Sequence, residues 1–442
     1  MNVREWLDER LAPLAKECDV PGAAVAVLSG GEIVDAAAGV LNTATGYPVT
    51  TDSVFQIGSI AKVWTATLVM RLVDEGRLDL DRPVADYLPG FRVTDPEVSA
   101  TVTARHLLSH VSGIEGDLYL DTGPGDDALE RFIATLEETA PQSFAPGELF
   151  SYCNTGYCVL GRVVEVLTGH TFEAEVAERL VAPLGLETVV TSAAEAIVRR
   201  VAIGHFDGVP TPVWAMPRSN APAGATLTMS ARDLMVFTGA HLRGGRPILS
   251  AESARAMREP QIALPPRTGR RGSHWALGWE LFSWEGGTVF GHDGNSVGQT
   301  AFLRVVPERN VAVALLTNGG RSTELFQRLF PPLLSGLAGV TVPAAATPPE
   351  HPPAVDPRRF TGRYASRALS VEVAEAGRGF TLTLRDDEEI QSLDAVALDA
   401  DTLISVDAVP DSGAHMSVAF VGDAGGGARF LHLGRALPRV AD

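Results

Sequence analysis

At 442 residues the chain exceeds the ~250–300 residues at which a single hydrophobic core stops growing, so more than one structural unit is expected. A hydrophobic content of 45%, with 44 glycines and 29 prolines, excludes a disordered, collagen-like or coiled-coil chain. The net charge of −18 supplies no basic footprint for nucleic acid or an anionic membrane surface, and neither is expected as a partner.

Residues 2–18 read as an acidic, amphipathic helix without the apolar core of a signal peptide. No later run approaches the ~18 consecutive apolar residues of a membrane span, so a cytoplasmic location is expected. The three cysteines, Cys18, Cys153 and Cys158, imply no disulfide framework. Residues 22–29 and 32–39 are small and apolar and flank Gly30-Gly31, the pattern of a β-hairpin. Most of 60–260 has helical periodicity broken by Pro and Gly, and strands return at 275–283, 287–292, 299–306 and 310–316. Strands at both ends with helices between predict an α+β fold, one antiparallel sheet closed by its own termini plus a helical lobe. This first domain is expected to span 1–340. Residues 341–357 contain six prolines and read as an extended linker. Residues 358–442 alternate in short β-type runs, which predicts a small all-β module, a barrel or sandwich.

Lysine is nearly absent: among 36 basic residues only Lys16 and Lys62 are lysines. Arginine cannot shed its proton, whereas a buried lysine can. Lys62 lies in Ser59-Ile60-Ala61-Lys62, at the start of a helical run, and residues three apart share a helix face. A serine hydroxyl becomes a useful nucleophile when an adjacent base takes its proton, and Lys62 is placed to be that base. Ser59 as a simple helix cap is the competing explanation. A second element, Tyr152-Cys153-Asn154, precedes another helical run. In extended chain Tyr152 and Asn154 point the same way, so a phenol could relay the lysine proton while an amide holds a substrate carbonyl. A loop tyrosine followed by a capping asparagine, with Cys153 as buried filler, fits the same residues. The third element, Gly291-His292-Asp293-Gly294, ends a strand. Gly294 allows close approach of a ligand to the backbone, and the Asn295 N–H could pair with that of Ser59 as an oxyanion hole.

Together, Ser59-x-x-Lys62, Tyr152-x-Asn154 and His292-x-Gly294 resemble the three motifs of the serine β-lactamase and penicillin-binding-protein superfamily, especially its class C β-lactamase/DD-peptidase branch. Supporting stretches are DVPGAAVAVLSGG, FQIGSIAKVWTA, ARHLLSHVSGI and APGELFSYCNTGYCVLGRVVEVLTG. The resemblance spans about 20–330. It implies that Ser59 is a nucleophile forming an acyl-enzyme, that Lys62 and Tyr152 share the acid–base work, and that Asn154, His292, Gly294 and Asn295 bind substrate. No metal or cofactor is implied. The third motif departs from the family pattern in Asp293, whose charge is expected to disfavour the carboxylate of β-lactams. The C-terminal module resembles the lipocalin-like domain of penicillin-binding-protein-type thioesterases, which release and cyclise non-ribosomal peptides. A peptidyl thioester is therefore the implied substrate, a synthetase carrier domain the implied partner, and a D-residue the implied acyl donor. The alternatives are a hydrolytic esterase, a D-stereospecific peptidase, a β-lactamase-like amidase, or a non-catalytic peptide or β-lactam sensor.

Two other patterns compete. Gly294-Asn295-Ser296-Val297-Gly298 matches G-x-S-x-G, but the alternating residues after it predict a strand where that elbow needs a helix. His106 and His110 stand four apart, but no third ligand follows at metal-site spacing.

Overall fold

The computed structural model describes residues 1–266, 272–377, 379–386, 389–409 and 414–440. Eight antiparallel strands form the main sheet, in the spatial order Glu32–Gly39, Gly22–Ser29, Val311–Thr317, Gln299–Val306, Gly287–Ser296, Glu280–Trp284, His274–Trp275 and Ile262–Ala263. The N-terminal hairpin therefore pairs with the last strand, Ala23 opposite Thr317 and Ser29 opposite Val311, and the sheet is closed by its own termini as expected. Gly30 and Gly31 both have positive φ, which a tight two-residue hairpin turn requires.

The strand Gly22–Ser29 shows why so apolar a segment was needed. Ala24, Ala26 and Leu28 face the helical lobe, while Ala23, Val25 and Val27 face the other side. There the helices Val3–Glu17 and Ser322–Ala338 cover the sheet with Leu7, Leu11, Phe326 and Phe330. Because both faces are covered, the alternation of a one-sided strand is lost. On the lobe side, the helix Ala61–Asp74 is buried almost all round, and Trp64 stacks on Phe237 with ring centroids 4.1 Å apart. Truncating so large a core side chain costs about 3–5 kcal/mol, so this helix is held firmly.

Two strand limits differ from the sequence reading. The strand Gly287–Ser296 runs past His292 to the turn at Val297-Gly298, so Gly294-Asn295-Ser296-Val297-Gly298 is a hairpin and no nucleophile elbow. The segment 275–283 is broken, because Gly278 turns with φ 90° where a Cβ would meet Ala66 at 2.7 Å. The backbone there crosses directly over the Ser59 helix.

Beyond Thr341, bridged to Glu285, the chain has no helix or strand until the short turn Pro357–Arg359. Eight strands between Gly362 and Val440 then follow one another in an up-and-down closed barrel, the first pairing with the last. Four of them, Gly362–Ala365, Ile390–Ala397, Thr402–Val409 and Ala436–Val440, were not distinguished in the sequence. The barrel interior is filled by Phe360, Tyr364, Phe380, Phe420 and aliphatic neighbours. Among the described residues no helix is long and apolar enough to cross a membrane.

Candidate active site

Ser59 lies in a tight turn, Gly58–Ile60, that leads into the helix Ala61–Asp74. Its side chain caps nothing. Instead its Oγ accepts a hydrogen bond of 3.0 Å from Lys62 Nζ, which also donates to the Ala223 carbonyl at 2.5 Å. Both acceptors are neutral, and the amine is fully buried beneath the rings of Tyr152 and Tyr157, whose centroids lie 4.9 and 5.6 Å away. Burial is the main cause that brings the Lys62 pKa down to about 7, with Arg435 acting in the same direction and Cys158 opposing. Near neutral pH a good fraction of Lys62 is thus a free amine within reach of the hydroxyl, as a general base must be.

Close backbone packing brings the third motif to Ser59. Gly58 has φ 51°, and a Cβ there would stand 2.6 Å from Asn295 N. At Gly294 a Cβ would meet Ile57 O at 2.0 Å and Ser59 N at 3.1 Å. Only glycine fits at either place, and the amides of Ser59 and Asn295 flank the same narrow gap. The strand places His292 on the pocket side. Its Nδ1 is 2.6 Å from the Asp293 carbonyl and its Nε2 is buried without a partner. Burial, and then the Lys62 charge, push the His292 pKa down to about 3, so it is a neutral imidazole at working pH.

Asp293 behaves differently from the expectation. Alternation along the strand sends its carboxylate to the opposite face of the sheet, where Arg304 holds it in two hydrogen bonds of 2.5 and 3.1 Å. Arg304 is itself buried, with its guanidinium over the rings of Phe282 and Phe326. Arg304 offsets the charge there, so Asp293, which still borders the cavity, repels a substrate carboxylate less than a free acid would.

Cys153 is extended and Asn154 opens the helix Asn154–Thr168. The cap of that helix is Cys153, not Asn154: the thiol sulfur accepts the Gly156 N–H at 3.3 Å. The Tyr152 hydroxyl is buried without a partner at good geometry, and Ser59, then Arg435, favour its ionised form. Burial dominates and raises its pKa well above the usual phenol value. Tyr152 at rest therefore carries its proton, ready to donate one. The Asn154 amide nitrogen donates to Asp117 at 2.9 Å and to the Tyr119 hydroxyl at 2.8 Å.

Asp117 leads to a component that the sequence did not reveal. The barrel turn 432–435 enters the pocket, with Arg435 paired to both carboxylate oxygens of Asp117 along one guanidinium edge, through Nε and Nη2, and lying 5.2 Å from the Tyr152 ring centroid. The turn is pinned to the motif strand by Tyr152 N–H to Gly434 O at 3.0 Å, by Ala436 N–H to Ser151 Oγ at 3.1 Å, and by His432 against the Phe150 carbonyl at 3.0 Å. Asp117 and Arg435 are 318 residues apart, and neither stands in a recognisable pattern. The result is a cavity of about 310 Å³ that touches Ser59, Tyr152, Asn154, His292, Asn295 and Arg435. Its volume suits a small acyl group. All seven residues singled out in the sequence converge here, with Lys62 beneath the floor and Gly294 behind it.

Residues 7–336 match the β-lactamase family model. A penicillin-binding protein 4 from Amycolatopsis lactamdurans is 48% identical over 367 residues, which cover 80% of this chain and 96% of that protein. The solved structure of SurE superimposes with a TM-score of 0.80 at 29% identity, over 99% of both chains, the barrel included. A class C β-lactamase from Rhodobacter sphaeroides shares the fold alone, with a TM-score of 0.61 at 23% identity over 76% of this chain and 99% of that one. With three quarters of its length inside the family model and a relative 48% identical over 80% of it, the chain belongs to the β-lactamase and penicillin-binding-protein family of serine hydrolases.

Proposed function

We propose that the protein is a serine acyltransferase that takes a peptide from a carrier-bound thioester and closes it on its own amine, with hydrolysis as a side path. The observation that carries the acyl-enzyme chemistry is the buried Lys62 amine 3.0 Å from Ser59 Oγ, at a pKa of about 7. Ser59 attacks the thioester carbonyl as its proton passes to Lys62. The amides of Ser59 and Asn295 receive the developing oxyanion, a role worth roughly 3–4 kcal/mol per donor in comparable sites. The thiolate leaves with a proton supplied through Lys62 or Tyr152, and the acyl group remains on Ser59. An amine then attacks the ester as its proton passes to Lys62, which returns a proton, directly or through the Tyr152 hydroxyl, to the departing Ser59 Oγ, so that Ser59 and the neutral Lys62 amine are both restored. His292, neutral and with a free Nε2, and Asn154 are placed to hold the peptide.

Aminolysis is favoured by the barrel turn 432–435, which covers one side of the pocket with a guanidinium and two backbone segments. A covered acyl-enzyme is better protected from water than an open one. A solved structure of SurE with D-Leu, similar over 99% of this chain, supports a D-residue at the acyl position. The test offers matched peptide thioesters ending in D- or L-residues and separates cyclic from linear product by mass. Cyclic product from D-ended substrates is expected; linear acid from every substrate would leave an esterase or D-stereospecific peptidase. That second reading has support of its own, since an esterase, EstB of Burkholderia gladioli, is 35% identical over 222 residues, 47% of this chain and 56% of that protein.

A further inference from the structure

His110 belongs to none of the three motifs, yet it grips the segment that carries Tyr152 from both sides. It follows the short helix Ala104–Leu108, with a left-handed backbone at φ 57°. That conformation is uncommon outside glycine and best tolerated by Asn, Asp and His. The His110 carbonyl accepts the Ser151 N–H at 2.8 Å, and its ring Nδ1 accepts the Cys153 N–H at 2.9 Å. The two residues flanking Tyr152 are thus tied to one residue. With Nδ1 accepting, the neutral ring carries its proton on Nε2, which is buried and without a partner. The imidazole lies against the Tyr152 ring, centroids 4.2 Å apart and tilted 32°, and the rings of Tyr157 and Trp275 close in at 5.1 and 4.8 Å. This places His110 directly behind the phenol that faces Lys62 and Ser59.

We propose that His110 is a positioning residue for Tyr152, holding the phenol over Lys62 by one ring stack and two backbone hydrogen bonds, and that it does so uncharged. The proposal rests on the role given to Tyr152 in acyl transfer above. The groups around it agree with a neutral ring. Burial comes first, then the positive charges of Lys62 and Arg435, which oppose protonation, and the Cys153 N–H donated to Nδ1 occupies the lone pair that a proton would need. A cation there would be a second buried positive charge beside Lys62, and among the described residues no carboxylate is paired with it, so the cost would be high.

The test is a double-mutant cycle on turnover of a chromogenic acyl ester, with acylation of Ser59 followed by intact mass. His110→Asn retains an acceptor for Cys153 N–H and a side chain at ease in the left-handed region, but removes the ring. Expected is a fall in kcat of about 10–10²-fold, the scale of small misplacements of a catalytic group, with little change in KM. In a Tyr152→Phe background the same substitution is expected to alter kcat by no more than about twofold. Equal losses in both backgrounds, or none in the native one, would overturn the proposal and mark His110 as merely structural. If His110→Asn does not fold, His110→Gln enters the same cycle. The unaltered protein supplies a further test: its kcat/KM should show one ionisation near pH 7, and a second between pH 5 and 7 would overturn a neutral His110. Absence of an acyl adduct on Ser59 in the unaltered protein removes the acyl-enzyme reading itself, whereas an adduct with unaffected His110 variants removes this proposal alone.

Discussion

The two walls of the pocket are built on different principles. The wall carrying Ser59, Lys62, His292 and Asn295 rests on the continuous apolar core between sheet and helical lobe, with backbone approaches so close that only glycine fits at 58 and 294. The wall carrying His432 to Arg435 is attached by hydrogen bonds, by the pair of Arg435 with Asp117, by a second pair between Arg429 and Glu148, and by a small apolar cluster of Phe144, Phe430 and Ala436. A packed core fixes atoms to within fractions of an ångström, as proton transfer demands. Polar contacts between domains are weaker and more adjustable, which suits the side of a site that selects or admits substrate. On the acyl-transfer function proposed above, chemistry belongs to the rigid wall and access to the adjustable one.

The contrast makes unequal demands on mutation. The largest effect is expected at the rigid wall. Lys62→Arg retains the charge and much of the reach but cannot release a proton, so ester turnover should fall by about 10²–10⁴-fold while the fold persists. Near-native turnover would show that Lys62 is only structural.

Next comes stability. The Lys62 pKa is depressed in the folded protein, from 10.5 to about 7, so the unfolded chain binds its proton more tightly. The resulting penalty is full below pH 7 and shrinks as pH rises toward 10.5. Lys62→Met should therefore stabilise the protein by a few kcal/mol at pH 6, at about 1.4 kcal/mol per pKa unit, and by progressively less toward pH 10. Thermal unfolding at several pH values measures this, and a constant difference would contradict it.

A smaller effect concerns pH and rate. With the free amine as the proposed base, kcat/KM for an ester should drop about tenfold per unit as pH falls below about 7, with no compensating rise from His292, whose pKa of about 3 keeps it neutral throughout. A profile flat from pH 5 to 8 would refute this.

The smallest effect is expected at the adjustable wall. Asp117→Ala strands Arg435, which is half-buried and partly screened by solvent, so a loss on the order of 1 kcal/mol is expected. The more telling result is a split: small-ester turnover nearly retained, peptidyl-substrate kcat/KM clearly reduced. Equal losses on both substrates would place the barrel turn in the chemistry and erase the distinction between the walls.

Much of the rigid wall could be read from local pattern. A serine and the only lysine of the lobe one helical turn apart, a Tyr-x-Asn before a helix and a His-x-Gly at a strand end are short-range signals, and each residue arrived in the pocket. The hairpin at Gly30-Gly31 and the two-sided apolar strand before it were equally legible, because turn chemistry and burial are written in neighbouring residues. Three things were decided only by tertiary structure. Asp293 was read as an unopposed charge facing substrate, yet a buried Arg304 eleven residues later pairs with its carboxylate and offsets the charge at the edge of the cavity. His110 could be weighed only as half of a metal pair or as a structural histidine, since its grip on Tyr152 joins segments 43 residues apart. Arg435 had no signal at all, because its meaning comes from a barrel turn meeting Asp117 and Tyr152 across the domain boundary. Local sequence determines which elements form and which groups they offer; which charges meet, and which face a ligand, depends on the packing of distant segments, and no window of neighbouring residues contains that information.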